Sequence, residues 1–137
     1  MTEAEARRRF ATAEVARLAT VGPDGRPHVV PIVFAVAGDT IYSAVDHKPK
    51  RTTALKRLAN VVENPSVAVL ADHYERDWRR LWWVRADGTG RVLEPGDEEA
   101  RSAVALLADR YPQYRERPPA GPVLAVDVKR WTGWSAS

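Results

Sequence analysis

The 137-residue chain contains no cysteine, so disulfide staples, thiolate metal sites and cysteine nucleophiles are excluded together. No apolar run approaches the roughly 20 residues that a membrane-spanning helix needs. The opening MTEAEARRRF is charged throughout and lacks the apolar stretch of a secretory signal, so a cytoplasmic location is expected and no membrane partner. The histidines, His28, His47 and His73, fall into no metal-ligand spacing, and no HExxH occurs. There is no G-x-S-x-G elbow, and Ser43 lies inside an expected strand with no glycine after it. Gly88-Thr89-Gly90 lacks the third glycine and the helix of a dinucleotide loop. A concentrated stripe of one charge is also missing. The formal net charge is +3, with 17 arginines against 4 lysines and acidic residues interspersed among them, which speaks against nucleic acid as a partner.

What is present is an ordinary soluble composition, 45% hydrophobic and 28% charged, in a length that suits one domain over residues 1–137. The five tryptophans need a core or an interface, and each indole N–H needs a partner.

Thr2 to Ala13 reads as a helix, with Thr2 and Glu5 forming a capping box. Val15 to Val21 reads as a strand, turned by Gly22-Pro23-Asp24-Gly25 into a second strand from Pro27 to Val36. Pro31 removes a ladder donor from that strand, so one side of it must be an edge, a bulge or a docking place. Thr40 to Val45 is a third strand. The polar loop Asp46 to Arg51 then leads into a helix from Thr52 to Glu63, with Leu55, Leu58, Val61 and Val62 as its apolar face. Ser66 to Ala71 and Leu81 to Arg85 are strands, and Asp87-Gly88 offers a hairpin turn into Thr89 to Leu93. A helix opens at Pro95-Gly96-Asp97 and runs through Arg110, and Val123 to Val128 is the last strand. Hairpins with inserted helices argue for a mainly β (α+β) antiparallel barrel with flanking helices. Trp82 and Trp83 are adjacent in a strand, so one must leave the interior, and an outward tryptophan suits a subunit interface.

The most informative stretch runs from Thr40 to Asn64. Lys48, Lys50 and Arg51 stand between a strand and a helix N-terminus, where cations, free backbone N–H groups and the helix dipole converge on one anion such as phosphate. The other reading of this run is a solvated charged loop. With no amino-acid catalyst legible, the chemistry is left to a bound cofactor, or the chain is a binder without chemistry.

The run RPHVVPIVF, then TIYSAVDHKPKR, a helix ending ENP and SVAVLADHY resembles the flavin-binding split barrels of the pyridoxamine 5'-phosphate oxidase-like superfamily. More narrowly, the chain is similar to small actinobacterial proteins that use the deazaflavin coenzyme F420, and the similarity spans nearly the whole chain to the closing WTGW. The resemblance implies a homodimer of six-stranded split barrels with cofactor sites at the interface. It places the backbone of Val29, Val30, Pro31 and Ile32 along the ring's pyrimidine edge. Ser43, Lys48, Lys50 and Arg51 would hold the phosphate, Trp78 and Arg79 would come from the partner chain, and Trp131 and Trp134 would wall the ring. The adjacent Arg-Lys of the flavin oxidases is interrupted here, Pro49 separating Lys48 from Lys50, which argues against pyridoxamine phosphate as substrate. The activity implied is hydride transfer between F420 and a small organic substrate. FMN in the same role, or a non-catalytic flavin carrier, is the alternative.

Overall fold

A computed structural model describes residues 1–45 and 51–137, and the side chains of all of these except 51–55. Helix α1 (Glu3–Ala11) begins with the capping box anticipated from the sequence: Thr2 Oγ1 accepts from the Glu5 N–H at 3.1 Å, and Glu5 accepts from the Thr2 N–H at 3.0 Å. Seven strands follow, β1 (Ala16–Val21), β2 (Pro27–Ile32), β3 (Ala35–Ala37), β4 (Thr40–Ala44), β5 (Ser66–His73), β6 (Trp82–Leu93) and β7 (Val123–Ser135). Helix α2 (Arg51–Glu63) lies between β4 and β5, and helices α3 (Glu98–Arg110) and α4 (Pro112–Glu116) lie between β6 and β7. One turn of 3-10 helix covers Trp78–Arg80. No helix among the described residues is long and apolar enough to cross a membrane.

The strands form one antiparallel sheet in the order β2-β1-β5-β6-β7-β4-β3. This corrects the expected six-stranded barrel: the described residues form seven strands, and among them the sheet is not closed. Its two edges are consecutive in the chain. The run read as one strand from Pro27 to Val36 breaks at Val33-Phe34, and its halves pair at opposite edges, β2 with β1 and β3 with β4.

The physical cause of the break is the corner at Phe34. Its N–H donates to the Tyr111 hydroxyl at 3.1 Å, and its carbonyl accepts from Arg110 Nη1 at 3.0 Å. Both backbone groups are thereby satisfied outside any ladder, while the Phe34 ring is wholly buried. The Arg110 guanidinium lies over that ring, 4.7 Å from its centroid, and also donates to the carbonyl of Ala13.

The expected hairpin at Asp87-Gly88 is absent. β6 is continuous for 12 residues and carries a bulge there: Asp87 opposes Arg130 and Gly88 opposes Val128, leaving Lys129 without a counterpart. β5 and β7 continue the ladder on both sides, which outweighs a local turn signal. A Cβ on Gly88 would collide with the backbone of Asp127, so the close approach requires glycine.

The main core fills the inner face of the sheet with Leu18, Val30, Ile32, Ile41, Val69, Val84, Leu124 and Val126. Phe10 of α1 enters it against Phe34 and Trp131, with ring centroids 4.8 and 5.3 Å away. Burying a side chain of that size contributes about 2 kcal/mol. Trp131, expected as a cofactor wall, is instead a core residue whose indole N–H donates to Asp39 at 3.0 Å. Helix α3 covers the outer side of β4 and β7 through Ala100, Ala103 and Leu107. On α2, Val61 is buried, but Val62, read as part of the apolar face, is 73% exposed. Asn60 takes its place inside and donates to Thr20 Oγ1 at 3.1 Å, pinning α2 to β1.

Candidate functional site

The Phe34 corner leaves a cleft beside it. The end of β2 and the residue after it (Pro31, Ile32, Val33), Ser43 and Ala44 of β4, Arg57 of α2, Tyr114 of α4 and Val15 line a cavity of about 240 Å³. Among the described residues the wall is apolar except for three groups, the buried Ser43 hydroxyl, the half-buried Arg57 and the Tyr114 side chain. Since β2 is an edge strand, one row of its backbone groups has no strand partner among the described residues, and Pro31 has no N–H to offer.

A second cavity, of about 550 Å³, opens between the β1–β2 turn and α2. Asp24, Arg26, His28, Lys56 and Asn60 are among the residues lining it. His28 Nδ1 is buried and has no hydrogen-bond partner among the described residues. Consecutive residues of one helix therefore serve two spaces, Lys56 the second cavity and Arg57 the cleft. The turn itself is held by Gly25, whose φ of +81° a side chain would strain.

Of the residues singled out in the sequence, Pro31, Ile32 and Ser43 meet at the cleft. Strand alternation separates the other two members of the β2 run. Val30 points into the core, while Val29 is 61% exposed on the outer face. Lys48 and Lys50 lie outside the described residues, and Arg51 opens α2 with its side chain outside the description. Trp78 is 76% exposed, and Arg79 is ion-paired with Asp77 at 2.9 Å, which holds the Asp77 carboxyl below its usual range. Neither Trp78 nor Arg79 lines the cleft.

Sequence reasoning missed Lys56, Arg57 and Tyr114. A signal for the first two was available: they are an adjacent basic pair just ahead of the ENP helix end, beside the apolar positions Leu58 and Val61. Tyr114 gave none, because no element is expected from the sequence at α4, between the helix through Arg110 and the strand from Val123.

The outer face of the sheet carries a groove of about 490 Å³ in which Val29, Leu70, Tyr74 and Trp83 are flanked by Arg17, Asp72 and Arg85. Trp83 stands opposite Trp134 in the β6–β7 ladder. Trp82 turns the other way, packs against the core and carries the Arg9 guanidinium 5.4 Å over its ring, as adjacent strand positions require.

Behind β4 lies a polar cluster. Arg91 donates to both Glu99 oxygens at 2.7 Å and to Asp127 at 2.6 and 3.0 Å, and the Tyr42 hydroxyl donates to Glu99 at 2.7 Å. The hydrogen bonds from Arg91 hold both carboxyls below their usual range. Burial, followed by the bond to Glu99, pushes the Tyr42 hydroxyl up to about 12. The cluster fastens α3 to β4, β6 and β7 and borders neither cavity. No group of three metal-ligating side chains occurs among the described residues.

The sequence profile of the family described as pyridoxamine 5'-phosphate oxidase matches residues 2–135. Among curated proteins, none matches the sequence. Similar solved structures include a conserved hypothetical protein from Mycobacterium tuberculosis, 21% identical, with a TM-score of 0.79 over 99% of this chain and 86% of that one. A FAD-binding protein from Mesorhizobium loti is 22% identical, with a TM-score of 0.72 over 97% and 92%. A heme storage protein from Vibrio cholerae is 16% identical, with a TM-score of 0.74 over 98% and 95%. At these identities the likeness is one of fold.

Proposed function

Because the chain belongs to the pyridoxamine 5'-phosphate oxidase family, we propose that it is a flavin-type oxidoreductase, binding its cofactor in the cleft between β2, β4 and α2 and acting on a small organic substrate. The observation that carries the reading is the meeting of Pro31, Ile32, Ser43 and Arg57 at one cavity beside a free strand edge. The donor set suits such a cofactor. A flat ring with a polar edge fits an apolar cleft bordered by unpaired backbone groups, and Ser43 offers one hydroxyl to it. An anionic tail fits Arg57 and, across α2, Lys56, Arg26 and the buried His28 nitrogen. When bound, the cofactor supplies the hydride chemistry, while these residues bind, orient and exclude water.

FMN is the primary reading, supported by the family and by a FAD-binding structural neighbour. The finer reading is coenzyme F420, supported by the sequence resemblance and by the further cations Lys48, Lys50 and Arg51, which suit a longer anionic tail. A homodimer belongs to the same proposal. The groove of Val29, Leu70, Tyr74 and Trp83 is an apolar face flanked by charges of both signs, Asp72 against Arg17 and Arg85, so a second copy meets it with matching chemistry.

The test is a titration of the apo-protein with FMN and with F420, read by tryptophan quenching and cofactor fluorescence. Saturable binding of one of them at one cofactor per chain is the expected result. Binding of neither sinks the reading, and binding without reduction of any acceptor makes the chain a carrier.

A further inference from the structure

Helix α4 is a five-residue element between α3 and a proline-rich stretch, and it delivers Tyr114 to the cleft. It starts at Pro112, whose fixed φ and missing N–H suit a first helical position. The Tyr111 carbonyl accepts from the N–H groups of Tyr114 at 3.0 Å and Arg115 at 3.3 Å. The side chain of the same Tyr111 holds the Phe34 corner through the 3.1 Å bond from the Phe34 N–H. One residue thus sets both the corner that opens the cleft and the helix that presents Tyr114. The two tyrosine rings meet edge to face at 6.1 Å, an arrangement that fixes ring orientation as well as position. Among the described residues Tyr114 is the one aromatic side chain lining the cavity, across from residues of β2 and β4.

We propose that Tyr114 is the aromatic wall against which the planar ring of the bound cofactor packs. The inference rests on the flavin-type reading above and adds to it a specific contact. A rigid aromatic face is a low-entropy partner for a flat ring.

The experiment labels the chain with 3-fluorotyrosine, which gives four fluorine resonances for the four tyrosines, and assigns Tyr114 with Y114F. Saturation with FMN, and in parallel with F420, is expected to move the Tyr114 resonance more than that of Tyr42, which faces α3. In unlabelled protein, Y114L is expected to weaken binding about fivefold, the worth of one aromatic contact, and to leave bound FMN brighter than in the wild type. If the wild type binds cofactor while the Tyr114 resonance stays in place, the wall is overturned and the flavin-type reading stands. If the wild type binds neither cofactor, both fall. The labelled wild type answers the question even where Y114L fails to fold.

Discussion

The Tyr111 hydroxyl accepts a hydrogen bond from the Phe34 amide across 77 positions of sequence, at 3.1 Å. It also lies 3.0 Å from the carbonyls of Phe34 and Glu14, to one of which its single proton goes. This pair converts what would be one long strand into two edge strands.

Y111F is therefore expected to destabilise the fold by about 2 kcal/mol, since it strands a buried N–H without its acceptor. The loss is read as a lower urea midpoint at unchanged m-value. A variant with an unshifted midpoint would show that the corner is held by Arg110 alone.

The Arg91 cluster makes stability depend on pH at both ends. Glu99 and Asp127 have folded-state pKa values below their usual 4.5 and 3.8. The unfolded chain then binds protons first, and their contribution, present above pH 4.5, is lost as pH falls below it. Tyr42 has the opposite sign. Raised from 10.0 to about 12, it contributes below pH 10 and the contribution is lost as pH climbs through 12. R91M is expected to flatten the acid limb of a thermal-melting profile between pH 3 and 6, roughly the carboxylate range, and Y42F the alkaline limb. Unchanged profiles would mean that the cluster is too well solvated to matter.

Gly88 and Gly90 rank by what their missing side chains would strike. A Cβ on Gly90 would lie 2.9 Å from a Val61 methyl, which V61A removes, whereas on Gly88 it meets the Asp127 backbone. G90A is expected to cost about 1–2 kcal/mol as overpacking and to be partly restored by V61A. G88A should cost more and gain nothing from V61A. Denaturation of the four variants decides the order.

Two pairs of cations compete for the anionic tail. K56A/R57A is expected to weaken cofactor binding at least tenfold, about 1.4 kcal/mol or more, through lost charge-assisted contacts. K50A/R51A tests the pair favoured by the sequence run. A large effect of the second and none of the first would move the tail site off α2.

The outer groove predicts a particle of twice the 15.3 kDa chain mass in sedimentation, and V29D or L70D should return it to monomer while the fold persists. A wild-type monomer at micromolar concentration would remove the dimer from the proposal.

Much of this was written locally. The capping box at Thr2 and Glu5, the Gly22–Gly25 turn, the helix ended by Asn64-Pro65 and the opposite faces of Trp82 and Trp83 follow from neighbouring residues and strand or helix periodicity, so the sequence by itself determined them. Pro31 belongs only half to this class: its missing N–H narrows it to an edge, a bulge or a docking place, and the sheet order chose the edge. Other features depend on partners far along the chain. The break at Phe34 needs Tyr111 and Arg110, the continuity of β6 through Asp87-Gly88 needs β5 and β7, and the burial of Asn60 in place of Val62 needs Thr20. The meeting of Ser43, Arg57 and Tyr114 belongs with these. Each joins segments whose proximity is created by packing the sheet and its helices together, and the tertiary structure alone decided it.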